Sequence, residues 1–188
     1  MPCRAAPHTR TPTLTHPYAR LPLPSHDQAA TLGITGMTAV QTLFHPDLLN
    51  LSKPSAPTEG GEYFLVWGAS TTVGQFAVQL ATQAGYKVIG TASAKNHELI
   101  TSLGAVGVVD YHDEDAVEQI KAIGQPIAAL DCAGAASALK CALAINPETG
   151  GRVVAIGGSP TEGVPENVTL KVSSTGCAVW RASATCVL

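Results

Sequence analysis

Three neighbouring hydroxyl side chains lie between an apolar stretch and an amphipathic one in "FLVWGASTTVGQFAVQLATQAGYKVIG", residues 64–90. Where a strand turns into a helix, the unbonded N–H groups of the first helical turn and the positive end of the helix dipole attract an anion. Ser70, Thr71 and Thr72 add hydroxyl donors for phosphate oxygens, and Val73 and Gly74 follow them at the predicted helix start. The loop is therefore a candidate phosphate site.

The glycine pattern of this loop leaves two interpretations open. A dinucleotide loop reads G-x-G-x-x-G, and counting back from Gly74 places Ala69 and Thr71 at the first two glycine positions. Small residues thus replace two of the three glycines, so the match is weak when taken alone. Either the loop holds a pyrophosphate, or it is an ordinary strand-to-helix turn whose hydroxyls only cap the helix.

A second loop, about 20 residues further on, distinguishes between two nucleotides. NAD-selective folds carry an aspartate or glutamate there, which binds the ribose hydroxyls. This chain has Ser93, Lys95 and Asn96 instead, a cation and small polar groups of the kind that a 2′-phosphate requires. Tyr111, which follows the third predicted strand, is expected beside the adenosine. Alternatively, Ser93 only caps the next helix, Lys95 is solvated and Tyr111 is an ordinary half-exposed residue.

Strands and helices alternate regularly from residue 63 onward, and they must position these loops. The strands are short and nearly all apolar, which is typical of strands covered on both faces, and crossovers of this length are right-handed. The sequence predicts an α/β fold with a doubly wound, Rossmann-like parallel sheet of five strands. The predicted strands are Tyr63–Trp67, Lys87–Thr91, Val106–Asp110, Ile127–Asp131 and Arg152–Ile156, and the predicted helices are Val73–Ala84, Asn96–Leu103, Glu114–Ile123 and Ala135–Ala144.

Composition divides the chain into five segments. We expect a disordered arm at 1–24, a short helical segment at 25–50, a linker at 51–62, an NADP-binding domain at 63–175 and an irregular tail at 176–188. Ser25 and Gln28 have capping-box spacing, and the helical segment is predicted to break near Gly33 and Gly36. The stretch "NVTLKVSSTG" is compatible with one more strand. Because the pattern fades after Pro160, the sheet is expected to be incomplete.

Composition and charge exclude several classes of function. The 188-residue chain has a net charge of −3 and no basic block, so we expect no nucleic-acid partner. Its apolar runs are far shorter than the roughly 20 residues that a bilayer requires, so we expect no membrane partner. The five cysteines lack C-x-x-C spacing and the six histidines form no metal-spaced set, so no metal site is expected. The frequent prolines near the start disfavour a targeting helix, and a cytoplasmic location is expected.

Several motifs together resemble the cofactor domain of the medium-chain dehydrogenase/reductase superfamily. They are "TGMTAVQTLF" before the linker, Ser-Thr-Thr in the phosphate loop, "SAKN" after the second strand, "VVDY" at the third, "LDCAG" at the fourth and "GGRVVAIGG" at the fifth. The resemblance covers about residues 21–175. It is strongest to the zinc-independent quinone-oxidoreductase branch, and within it to the trans-acting enoyl reductases that serve fungal polyketide synthases.

The resemblance implies a role for each candidate residue. Ser70, Thr71, Thr72 and Val73 would hold the pyrophosphate of NADP, with Gly74 allowing the helix to pack closely on the strand. The remaining residues would take the 2′-phosphate (Ser93, Lys95 and Asn96), lie beside it (Tyr111), approach the nicotinamide half (Ile156 and Gly157) and lie near the nicotinamide (Thr38). For Thr38 the alternative is a helix hydroxyl that bonds its own backbone.

The resemblance also implies an activity and its limits. The family would transfer hydride from NADPH to a conjugated carbonyl on a small-molecule or carrier-bound enoyl substrate, and a polyketide synthase is a possible partner. The family places a β-barrel substrate domain before "LPLPSHDQAATLG", where this chain has only about two dozen residues. The chain is therefore expected to be truncated at both ends. The alternative is an inactive remnant that binds NADP or merely folds.

Overall fold

A parallel six-stranded sheet forms the centre of the molecule. The structure is a computed structural model, and it describes residues 32–158 and 162–173. The strand order is β3-β2-β1-β4-β5-β6. The strands are β1 Tyr63–Trp67, β2 Lys87–Thr91, β3 Gly107–Val109, β4 Pro126–Asp131, β5 Gly151–Ala155 and β6 Val168–Val172, and the α-helices are α1 Met37–Phe44, α2 Thr72–Gln83, α3 His97–Ser102, α4 Ala116–Ile123 and α5 Ala135–Ala144.

Helices cover both faces of the sheet, and alternate residues of β1 show why. Phe64 and Val66 lie in an apolar cluster with residues from α1, α2 and α3. Leu65 and Trp67 lie in a second cluster with residues from α4 and α5. All four side chains are buried, as expected for a central strand of a doubly wound sheet. The predicted α/β Rossmann-like fold is thus confirmed.

Strand pairing brings the loops that follow the strands to one edge of the sheet. Trp67 at the end of β1 is in register with Asp131 at the end of β4, and Asp131 is in register with Ala155 at the end of β5. On the other side, Thr91 of β2 is in register with Val109 of β3. Ligands of doubly wound sheets bind at this carboxyl edge.

The predicted number of strands was one too low. Residues 168–172, inside the stretch "NVTLKVSSTG", form β6, which pairs in parallel with the whole of β5. Val168 is buried, whereas Thr169, Lys171 and Val172 are exposed. An edge strand is covered less completely than a central one, so its residues do not form the apolar run that marks the other strands.

Two local predictions were also wrong. Leu32–Gly36 forms a π-helical turn that continues into α1, because Gly36 has helical φ and ψ of −64° and −44° and no break occurs there. Helix α4 begins at Ala116 rather than at the predicted Glu114, and no side chain, including that of the preceding Asp113, caps it. The Asp113 carboxylate instead accepts a hydrogen bond from Gln119. The capping-box pair Ser25 and Gln28 lies outside the described residues.

The segment between α1 and β1 is bonded to the sheet domain along its length. Leu51 is buried in the same apolar cluster as Phe64, and the Ser52 N–H donates to the Tyr86 hydroxyl at 3.1 Å. From the far edge of the sheet, Lys171 Nζ donates to the Asp47 carbonyl at 2.6 Å. These contacts fix helix α1 relative to the sheet. The domain boundaries proposed from composition remain predictions.

Candidate functional site

The loop between β1 and α2 requires glycine at two positions. Gly68 has a φ of +77°, which side chains disfavour. A Cβ on Gly74 would lie against the Gly68 carbonyl and 2.8 Å from Ala69 Cα. Only glycine at position 74 lets the first turn of α2 approach the end of β1 this closely. The last glycine of the motif therefore keeps its expected packing role.

The hydroxyl of Thr71 is engaged within this loop. Thr71 is the N-cap residue of α2, where its Oγ1 accepts from the Gly74 N–H at 3.1 Å and donates to the Gly68 carbonyl at 2.8 Å. The capping interpretation thus holds for this one side chain. Thr72 and Val73 open the helix, and N–H groups in the first helical turn have no partner within the helix. The Gly74 N–H is bonded to Thr71 Oγ1, so the N–H groups of Thr72 and Val73, rather than the Thr71 hydroxyl, are available to an anion.

The loop after β2 is a 3₁₀ turn, Ala94–Asn96, with Ser93 as its N-cap residue. Asn96 Nδ2 donates to Ser93 Oγ at 3.3 Å, and the Lys95 side chain is exposed. The three residues predicted to bind a 2′-phosphate therefore share one short turn. An exposed ammonium beside two small polar groups provides the charge and the hydrogen bonds that a phosphate dianion needs.

Asp110, directly after β3, is a site residue that sequence reasoning missed. Its Oδ2 accepts from the Ala94 N–H at 3.0 Å, and its Oδ1 accepts from the N–H of His112 at 3.0 Å. His112 Nδ1 also lies 2.7 Å from Oδ1, and these bonds from His112 lower the pKa of Asp110. The only sequence signal was a carboxylate at the end of a predicted strand next to Tyr111.

Asp131, at the end of β4, is a second carboxylate that was not predicted. It is fully buried and accepts from the Ala133 N–H at 2.9 Å, the Gly134 N–H at 3.3 Å and the Ser137 hydroxyl at 2.8 Å. Burial raises the pKa of Asp131, although these hydrogen bonds oppose the rise. The carboxylate fixes the loop that leads from β4 into α5.

A cavity of about 360 Å³ opens between the loops after β3 and β4. Trp67 forms one side and Tyr111 another, and Lys140 Nζ lies 5.7 Å from the centre of the Trp67 ring. The Tyr111 ring is 40% exposed, and its centre lies 4.0 Å from that of His112. An aromatic and largely apolar cavity suits a planar base, and Tyr111 follows Asp110, whose carboxylate bonds the Ala94–Asn96 turn.

Ile156 and Gly157, after β5, lie beside the loop after β4. The Ile156 N–H donates to the Asp131 carbonyl at 2.9 Å, and a Cβ on Gly157 would be 3.1 Å from Gly134 Cα. Thr38 lies elsewhere, on α1, where it is buried and its Oγ1 donates to the Ile34 carbonyl at 2.6 Å. The bond expected under the alternative interpretation of Thr38 is therefore present.

The described residues favour neither a reactive thiol nor a metal site. Burial, the largest effect, raises the pKa of the Cys132 thiol to about 12, so the thiolate is not formed near neutral pH. Cys141 is fully buried, and both thiols are free. Within residues 32–158 and 162–173, no three His, Cys, Asp or Glu side chains are grouped so that they could hold a metal ion. No helix in that part of the chain is long and apolar enough to cross a bilayer.

A family model agrees with this architecture. The model described as zinc-binding dehydrogenase matches residues 72–183, which is more than half of the chain. The chain belongs to this dehydrogenase family. It is a member of the medium-chain dehydrogenase/reductase superfamily, on the enoyl-reductase side, as the sequence motifs indicated. The family name refers to zinc, but the described residues provide no ligand set for it.

Curated fungal relatives of this chain include two kinds of enzyme. It is 41% identical to a dehydrogenase of Aspergillus niger over 118 residues, which are 61% of this chain and 33% of the relative. It is 37% identical to a trans-enoyl reductase of Trichoderma harzianum over 145 residues, which are 72% of this chain and 39% of the relative. The chain thus spans between a third and two fifths of the length of these relatives.

Solved structures show the same fold. The enoyl reductase CurK matches with a TM-score of 0.67 and 29% identity over 81% of this chain and 46% of that one. The quinone oxidoreductase of Coxiella burnetii matches with a TM-score of 0.61 and 27% identity over 79% of this chain and 44% of that one.

Eleven of the predicted site residues follow strand ends at the carboxyl edge of the sheet, and Thr38 lies on α1.

Proposed function

We propose that this chain is the cofactor-binding part of an NADPH-dependent oxidoreductase of the enoyl-reductase type. The observation that carries the proposal is the turn after β2, where Ser93, exposed Lys95 and Asn96 occupy the place of a ribose-binding carboxylate. The similarity to enoyl reductases in both comparisons supports the reaction class. We also propose that the protein has no nucleic-acid or membrane partner and that it is cytoplasmic.

The dinucleotide would lie along the carboxyl edge of the sheet. The first-turn N–H groups of α2, next to Ser70, Thr71, Thr72 and Val73, would bind the pyrophosphate. The turn after β2 would bind the 2′-phosphate. The cavity beside Tyr111 would take the adenine, while the backbone of Ile156 and Gly157 would lie along the nicotinamide half. The close approach of Gly157 to Gly134 supports this assignment, because a side chain at position 157 would reduce the space there.

The bound cofactor would supply a hydride to the β-carbon of a conjugated carbonyl compound. The protein's part is to hold the cofactor, exclude water and position the substrate. A small-molecule or carrier-bound enoyl group is the proposed substrate, and a polyketide synthase is the proposed source of a carrier-bound one. Thr38 remains a candidate for a position near the nicotinamide, since its hydroxyl oxygen can still accept a hydrogen bond.

A second candidate function is cofactor binding without turnover. Leu32, Ile34, Met37 and Val40, on the turn before α1 and on α1 itself, are 40–80% exposed. Large apolar side chains exposed along one short segment indicate a surface that other protein covers. If no other protein covers this surface and closes the site, water would not be excluded and the chain alone would hold NADPH but not use it.

Single-turnover oxidation of NADPH by the purified chain distinguishes the two candidates. The assay follows nicotinamide absorbance after mixing with a crotonyl thioester. Oxidation at about 1 per second or faster is an ordinary enzymatic rate and supports the reductase. Oxidation at the rate of the protein-free control, with NADPH nevertheless bound, supports the second candidate. If NADPH does not bind at all, both are wrong.

A further inference from the structure

The turn that would bind the 2′-phosphate is held from the neighbouring strand. Ser93 is its N-cap residue, yet the Ser93 side chain makes no capping hydrogen bond. The Asp110 carboxylate accepts from the Ala94 N–H at 3.0 Å instead. Because Thr91 and Val109 are paired, the end of β3 is directly beside the start of this turn. A carboxylate 16 residues away in sequence thus does the work of a capping side chain.

The Asp110 carboxylate is itself fixed in place. Its Oδ1 is bonded by the His112 N–H at 3.0 Å and lies 2.7 Å from His112 Nδ1, so Oδ2 is directed to Ala94. The side chain of Asp110 is only 22% exposed. Charge-assisted bonds to a backbone N–H are among the stronger hydrogen bonds in proteins. This side chain is therefore one of the groups that hold the turn against the end of β3.

We propose that Asp110 is a positioning residue that sets the preference for a 2′-phosphorylated nucleotide. It acts by fixing the turn that presents Ser93, Lys95 and Asn96, without touching the phosphate itself. The inference rests on the proposed function, since it concerns the same cofactor site. It differs from a simple charge rule, under which a carboxylate near the 2′-position would repel the phosphate and favour the unphosphorylated ribose.

Two variants remove the same hydrogen bond from opposite sides. Asp110→Ala removes the acceptor, and Ala94→Pro removes the donor while keeping the carboxylate group, which must move aside because the proline Cδ takes the position of the N–H hydrogen. Proline suits the first position of a helical turn, and Ser93 has the extended φ and ψ of −64° and 150° that a following proline favours. Asp113→Ala is the matched control, because Asp113 lies in the same loop but bonds Gln119.

The measurement is the dissociation constant for NADPH and for NADH, by fluorescence titration of the full chain. In both Asp110→Ala and Ala94→Pro we expect the constant for NADPH to rise about tenfold, the usual effect of one lost charge-assisted contact. The constant for NADH should change less than about twofold in the same comparison, and Asp113→Ala should resemble the wild type. A general loss of folding would weaken both cofactors together, so the ratio isolates positioning.

Three outcomes overturn the inference. An unchanged NADPH-to-NADH ratio in Asp110→Ala and Ala94→Pro would show that the turn does not need the bond. Tighter NADPH binding by Asp110→Ala would show that repulsion by the carboxylate outweighs positioning. A wild type that binds NADPH no better than NADH would overturn the proposed cofactor preference together with this inference, whereas the first two outcomes leave that preference intact.

Discussion

At the scale of single residues, the two glycines and two carboxylates around the strand ends explain the shape of the site. Gly74 admits α2 to the end of β1, while Asp110 and Asp131 each organise a loop by accepting backbone N–H groups. The candidate binding groups are mainly backbone N–H groups and hydroxyls, together with the ammonium of Lys95. Their ability to bind the cofactor depends on the position of the backbone. Substitution of the residues that fix the backbone should therefore have the largest effects on binding.

Gly74→Val should destabilise the protein far more than Thr71→Gly. A side chain at 74 meets the Gly68 carbonyl and Ala69, and overpacking of this kind costs about 1–3 kcal/mol. Thr71→Gly removes a cap whose replacement by glycine costs only a few tenths of a kcal/mol. Thermal melts with and without NADPH measure both effects. A Gly74→Val protein as stable as the wild type would contradict the close packing of α2 on the end of β1 at Gly74.

Asp131 should make a pH-dependent contribution to stability. Because burial raises its pKa in the folded state above the ordinary 3.8, the folded protein binds this proton more tightly than the unfolded chain. The stability from that proton is fully present below pH 3.8 and is lost as the pH rises through the folded-state pKa. The free energy of unfolding of the wild type minus that of Asp131→Asn, measured with urea, should therefore decrease as the pH rises from 4 to 7. A difference that increases over this range contradicts the assignment.

At the scale of elements, α1 contains a polar group without a described partner. Thr42 is fully buried, and among the described residues no group bonds its Oγ1. Thr42→Val replaces the hydroxyl by a methyl group of similar size and should raise the free energy of unfolding by about 1 kcal/mol. Thr38→Val is the control, because that hydroxyl donates to Ile34, and it should lower stability by about 1 kcal/mol. Equal effects in chemical denaturation would contradict this account of α1.

The element scale also shows what the sequence could predict. β1, β2 and α5 were predicted to the residue, because apolar runs and helical periodicity are local signals. Edge strand β6 was not counted among the strands, since three of its five residues are polar or exposed. The roles of Asp110 and Asp131 were missed for a different reason. Asp110 meets Ala94 only through the pairing of β2 with β3, and no pattern within either strand specifies that register.

At the scale of the whole molecule, the described residues form one structural unit around a single sheet. Both apolar clusters share β1, and the segment after α1 is bonded to β6 through Lys171. The chain corresponds to between a third and two fifths of the length of the two curated relatives described above. Cofactor binding is the proposed property for which this unit carries the contacts, because every proposed contact except that of Thr38 lies at its own sheet edge.

The cofactor preference is the central claim, and one titration tests it most directly. The dissociation constants for NADPH and NADH are measured for the wild type, Lys95→Ala and the control Lys121→Ala, which removes an exposed lysine from α4. The wild type and the control should bind NADPH about tenfold or more tightly than NADH, and Lys95→Ala should lose most of that difference. Equal affinity of the wild type for NADH and NADPH would contradict the account.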